Sequence, residues 1–151
     1  MPTSPEVVRL QFRSAFDMLD FVQVVSDHLA RRVGLDEDAM HWVGVAVRES
    51  VINAIKHGNQ NDHQKLVEVE FNSTLSPEGE LAIAVRDQGE GFDPDNLADP
   101  LAPENVLKSS GRGIFLMRSF MDDVSLRRMP EGGMEVRMVK RAANAGSVNA
   151  G

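Results

Sequence analysis

Glu49 and Asn53 stand one helical turn apart in the otherwise apolar segment VRESVINAIKHGN. An amide oxygen is a hard donor suited to Mg²⁺, which favours oxygen ligands and retains several waters. A carboxylate beside it can serve as general base toward a hydroxyl or a water. His57 follows four residues later, so α-helical spacing places all three within about 80° of one another. A solvated stripe on an amphipathic helix has the same spacing. However, Val43, Val45, Val47, Val51, Ile52 and Ile55 leave little of this helix facing outward. Polar groups in such company need partners.

A second cluster is AVRDQGEGFDP, where Asp87 directly follows an apolar strand and Gly89 and Gly91 let the backbone turn or approach a ligand. A carboxylate at a strand end can accept a hydrogen bond from an exocyclic amine such as that of adenine. A plain turn carrying an Asp reads the same way. The third cluster, SSGRGIFLM, sets Gly111 and Gly113 just before an apolar helix. Backbone N–H groups there, with the helix dipole, can hold phosphate oxygens. Arg112 and Lys108 add positive charge, although a simple helix-capping loop is the other reading of this GxG.

The elements that must position these clusters follow from periodicity. Val7–Phe12 alternates as a strand, and Ser14 is placed to cap a helix over Ala15–Val33 that stops at Gly34. A second helix is predicted over Asp36–Lys56, and strands over Leu66–Ser73 and Leu81–Val85. The stretch from Asp87 to Gly113 holds no period, which is unusual in a compact domain and often functional. Ile114–Val124 reads as a helix, and Ser125–Met129 with Met134–Val139 as a closing hairpin. The order β-α-α-β-β-loop-α-β-β predicts an α+β two-layer sandwich. Its sheet is mixed and mostly antiparallel, covered on one face by three helices, because the short connections forbid parallel crossovers.

At 151 residues the chain is one domain by length, with 42% hydrophobic and 26% charged residues. The net charge of -7 argues against direct binding to nucleic acid or to an anionic membrane. There are no cysteines, which removes disulfides and thiolate sites and suits a reducing cytoplasm. The first residues lack the pattern of a signal peptide, and no apolar run approaches the ~20 residues that span a bilayer. A soluble, cytoplasmic protein is expected.

Taken in order, E-x-x-x-N on a helix, D-x-G-x-G-F after a strand, and G-x-G before a helix resemble the GHKL (Bergerat-fold) ATPases. Glu49 and Asn53 match the N box, Asp87, Gly89 and Gly91 the first glycine box, and Gly111 and Gly113 the second. The likeness covers about Val7 to Val139, which implies an ATPase domain over residues 1–140 and a flexible tail over 141–151. Asn53-Ala54-Ile55-Lys56-His57-Gly58 and Phe120-Met121-Asp122-Asp123-Val124 are similar to elements of bacterial anti-sigma-factor serine kinases.

That resemblance implies ATP and Mg²⁺ as cofactors, Glu49 as base, Asn53 as Mg²⁺ ligand and Asp87 as adenine reader. Gly89 and Gly91 would shape the base pocket. Gly111, Arg112 and Gly113, with Lys108, would hold phosphate, and residues between Phe92 and Ser110 would form a lid. It further implies phosphorylation of a serine on a STAS-domain anti-sigma-factor antagonist, and sequestration of a sigma factor. Such proteins are often homodimers, and the first strand and helix are the contact surfaces the resemblance implies. Some relatives carry arginine where this chain has Ser109-Ser110, and relatives often place threonine where its last hairpin reads Met134-Glu135. These departures keep open a second reading, a non-catalytic partner-switching module of the same fold.

Overall fold

The computed structural model describes residues 5–75, 78–90 and 117–142. Strand β1 (Glu6–Arg13) directs Val8, Leu10 and Phe12 to the core, with exposed Val7, Arg9, Gln11 and Arg13 between them. A 3-10 turn (Phe16–Met18) leads into α1 (Leu19–Arg32), followed by α2 (Glu37–Asn53). Asp36 caps α2 by accepting the Ala39 N–H at 2.7 Å, and Glu37 and Asp38 complement the dipole there. Strands β2 (Leu66–Thr74), β3 (Glu80–Arg86), β4 (Asp123–Arg128) and β5 (Met134–Arg141) complete the sheet. A short helix, α3, occupies residues 117–120 just before β4.

The strand order is β1-β2-β3-β5-β4, and all four pairings are antiparallel. Val22, Leu29, Val43, Val47 and Val51 of the helices close over Val67, Val69, Phe71, Leu81, Ile83 and Met138 of the sheet. The expected α+β sandwich with helices on one face is therefore present. Gly44 on α2 faces α1, where an added Cβ would lie 2.4 Å from the Gln23 amide nitrogen, the movable end of that side chain. Among the described residues no helix is long and apolar enough to cross a membrane.

Three local expectations need correction. Ser14 caps no helix; its hydroxyl instead donates to the Lys65 carbonyl at 2.9 Å, tying β1 to the start of β2. The second helix loses α geometry after Asn53 and ends in a π turn over Ala54–Gly58. The third helix does not reach Val124, because the backbone is already extended and paired with β5 from Asp123. Gly91, Lys108, Gly111, Arg112, Gly113, the expected lid and the tail beyond residue 142 lie outside the described residues.

The helix-free face of the sheet carries a transverse row of charge, Arg9–Glu70–Arg86–Glu135–Arg127, one residue from each strand in spatial order. The strongest link is Arg86 to Glu135 at 2.7 Å, with the Glu135 side chain only 9% exposed. Burial favours a neutral Arg86, but hydrogen bonds to Glu135, Glu68 and Glu70 outweigh it and raise its pKa. The Arg9 hydrogen bond holds Glu70 down at about 2, against 4.5 ordinarily, with Asn72 and Arg86 assisting and burial opposing.

Because the folded pKa of Glu70 is the lower one, its stabilisation is complete above 4.5 and is lost as pH falls from there to about 2. Urea unfolding followed from pH 6 to pH 2 is expected to show this loss, and Glu70→Gln to flatten that part of the curve. An unchanged slope in the variant would show that the row carries no pH-dependent stability.

Candidate functional site

Asp87 closes the site end of β3. It is 7% exposed, and its Oδ1 accepts the Gly89 N–H at 2.9 Å and the Met134 N–H at 3.2 Å. Its own N–H donates to the Met134 carbonyl at 3.1 Å, so the β3–β5 pairing continues one residue past the ladder. The other oxygen, Oδ2, lies over Gly58, where an added Cβ would come within 2.1 Å of it. Burial raises the Asp87 pKa, although the Gly89 and Met134 N–H groups and the Lys65 charge pull the other way. A buried carboxylate whose charge is only partly compensated gains from a further hydrogen-bond donor.

Two further glycines complete this contact. A Cβ on Gly89 would meet the Gly58 carbonyl oxygen at 1.9 Å, and one on Gly133 would meet the Asp87 carbonyl oxygen at 2.1 Å. Gly133 also sits at φ +93°, a conformation that suits glycine. The sequence thus brings the end of the second helix, the D-x-G segment and the final hairpin into backbone contact.

Glu49 and Asn53 both lie on α2, one turn apart and half-buried. Among the described residues, no side chain pairs with either of them. Their helix is held from below by Ser50, whose hydroxyl donates to the Ala46 carbonyl at 2.8 Å. The same hydroxyl touches the sulfurs of Met117 and Met138 at 3.3 and 3.6 Å. Two turns earlier Trp42 stacks flat on Phe120 at 3.7 Å. Both contacts fix α2 against α3. His57, by contrast, is exposed within the π turn, so the α-helical spacing that aligned it with Glu49 and Asn53 is broken.

Asn59 was missed as a site-forming residue by reading periodicity alone. It is 0% exposed and uses its whole amide: Oδ1 accepts the Gln88 N–H at 2.7 Å, and Nδ2 donates to Ser14 Oγ at 2.8 Å and the Leu66 carbonyl at 3.0 Å. A buried Asn directly after a helix-ending glycine was its only local signal. Glu135, at one of the departures, faces away from the site into the charged row. Met134 contributes its backbone N–H.

The donors present suit a magnesium nucleotide. Among the described residues no group of three or more His, Asp or Glu gathers as a cation cage. Mg²⁺ commonly takes one or two protein oxygens and completes its shell with substrate phosphates and water, and the Asn53 amide oxygen is a donor of that kind.

Residues 16–140 match the family described as histidine kinase-like ATPase domain. The chain is 27% identical over 146 residues to a serine-protein kinase RsbW of Bacillus velezensis, covering 93% of this chain and 88% of that one. It is 24% identical over 147 residues to a serine-protein kinase RsbW of Staphylococcus aureus, covering 93% and 89%. A histidine kinase domain of the Erythrobacter litoralis EL346 blue-light activated histidine kinase superposes with a TM-score of 0.48 at 17% identity, over 85% of this chain and 60% of that chain.

The tight packing on Asp87 is testable by comparing adjacent glycines. Gly132 has φ +103° and its added Cβ would have ordinary room, 3.7 Å from the Gly89 carbonyl oxygen. Gly132→Ala is expected to cost about 1–3 kcal/mol from backbone strain alone. Gly133→Ala should cost roughly 1–3 kcal/mol more, from overpacking against Asp87. Urea denaturation measures both; equal losses would mean the hairpin does not press on Asp87.

Proposed function

Because the chain belongs to the histidine kinase-like ATPase family, we propose that it binds ATP and transfers the terminal phosphoryl group to a serine of a partner protein. The observation that carries this reading is the half-buried Glu49/Asn53 couple, which pairs with no side chain among the described residues, on a helix whose end rests against the Asp87 carboxylate. The two relatives named as serine-protein kinases support the choice of acceptor.

In this reading Asp87 Oδ2 accepts the exocyclic amine of adenine, with Gly89 and Gly91 shaping the base pocket. Asn53 would hold Mg²⁺ through its amide oxygen, and the ion would supply charge neutralisation at the phosphates. Gly111, Arg112, Gly113 and Lys108 embrace the phosphates with backbone N–H groups and positive charge. Glu49 accepts the proton of the partner's serine hydroxyl as that oxygen bonds to phosphorus. The bond from phosphorus to the bridging oxygen breaks, and ADP leaves with the electron pair. Positioning and charge neutralisation supply most of the rate, as in phosphoryl transfer generally.

The partner of this reaction is a STAS-domain anti-sigma-factor antagonist, and the chain also sequesters a sigma factor. The setting is the cytoplasm. At Met134-Glu135, Glu135 belongs to the opposite face of the sheet and Met134 meets Asp87 through its backbone N–H.

Incubation with γ-labelled ATP, magnesium and the cognate antagonist is expected to label one serine. Glu49→Gln should lower that transfer by about 10²–10⁴-fold while ATP affinity stays within a few-fold. Asn53→Ala should weaken magnesium-dependent nucleotide binding. Absence of transfer to the correct partner would overturn the proposal, as would full activity in Glu49→Gln.

A further inference from the structure

We propose that Asn59 is a positioning residue that sets selectivity for the adenine amine, by holding the chain at Gln88 beside the base-reading carboxylate. The inference rests on the reading of Asp87 given above. Asn59 directly follows Gly58, and Gln88 lies between Asp87 and Gly89, the two residues that press on Gly58. The 2.7 Å bond from the Gln88 N–H to Asn59 Oδ1 therefore sits one residue from the Asp87–Gly58 contact on both chains. It joins the end of the α2 segment to the end of β3, where backbone packing alone would resist compression but not separation.

The other half of the amide anchors Asn59 itself. Nδ2 donates to Ser14 Oγ at the end of β1 and to the Leu66 carbonyl at the start of β2. The Gln88 side chain returns to the same strand, its Oε1 accepting the Leu66 N–H at 2.7 Å. Four segments thus meet at one buried side chain that must offer both a donor and an acceptor. Aspartate lacks the donors and leucine lacks both, so only an amide of this length serves every partner.

Discrimination between an amine and a carbonyl on the base needs an acceptor that cannot retreat. A fixed, buried acceptor rejects a ligand lacking the donor far more strongly than a mobile one, which can turn away or take up water. Breaking the Asn59–Gln88 bond should therefore erode selectivity beyond any loss of stability.

The experiment measures dissociation constants for ATP and inosine triphosphate, which carries a carbonyl in place of the amine, by calorimetric titration of the full chain. Wild type is expected to prefer ATP, and Asn59→Ala to reduce that preference about tenfold, mainly through weaker ATP binding. Ser14→Ala removes an anchor of Asn59 and the Lys65 bond but leaves the Gln88 link. It should lower the melting temperature with the preference intact. If Asn59→Ala does not fold, Asn59→Ser, too short to reach both partners, is read in the same way. A preference for ATP that survives in the Asn59 variant overturns this inference alone, as does an equal loss in Ser14→Ala. A wild type that binds both nucleotides equally overturns the reading of Asp87 and this inference with it.

Discussion

The carboxylate of Asp87 lies flush on the backbone of Gly58, with Gly89 and Gly133 packed against the same small volume. Each of these approaches excludes a Cβ, and each brings in a different segment: the end of α2, the turn after β3, and the hairpin before β5. Sequence separations of about thirty and forty-five residues are thereby collapsed into one polar pocket wall. The cost is a carboxylate moved out of water with two N–H donors in partial compensation, which is why its proton is held more tightly than usual. A group in that state is held in a fixed place and still has binding capacity at Oδ2.

The rest of the fold serves that contact from two sides. On the helical side, Ser50 and Trp42 set α2 against α3 and β5, so the couple Glu49/Asn53 projects from a helix that cannot roll. On the bare side of the sheet, the Arg86–Glu135 pair lies one register step behind Asp87 and Met134. It locks β3 to β5 where the Met134 N–H must meet Asp87. The charged row is only partly buried, so its value lies in fixing register more than in bulk stability, as exposed ion pairs generally contribute little. Apolar packing of Val67, Val69, Phe71, Leu81 and Ile83 supplies the bulk term.

The strands and the two long helices were legible because their signal is local: alternation in LVEVEF and AIAV, and apolar spacing along α1 and α2. The polar couple and Asp87 were legible because such residues are costly in apolar company. What escaped was everything decided by distant partners. Ser14 has the chemistry of an N-cap, but the Lys65 carbonyl and the Asn59 amide compete for its hydroxyl, and helix α1 starts at Leu19 after a 3-10 turn. The helical pattern through Val124 is real as apolar periodicity, yet pairing with Met138 makes Val124 a strand residue. Asn59 carried little sequence signal, since its three partners come from β1, β2 and the turn after β3.

The π turn shows how such a distant constraint reaches back into the helix. Continued α geometry would keep His57 on the stripe of Glu49 and Asn53. Instead the Asn59 N–H bonds the Ala54 carbonyl at 2.7 Å, five residues back, so an extra residue is accommodated in the last turn. That widening turns His57 out to solvent and swings Gly58 and Asn59 inward, the one to meet the Asp87 carboxylate and the other to bond Gln88. A regular helix would set different residues at that junction and would leave the Asp87 carboxylate without its floor. The irregular turn is therefore the element that joins a helix bearing two polar residues to the buried carboxylate at the end of β3.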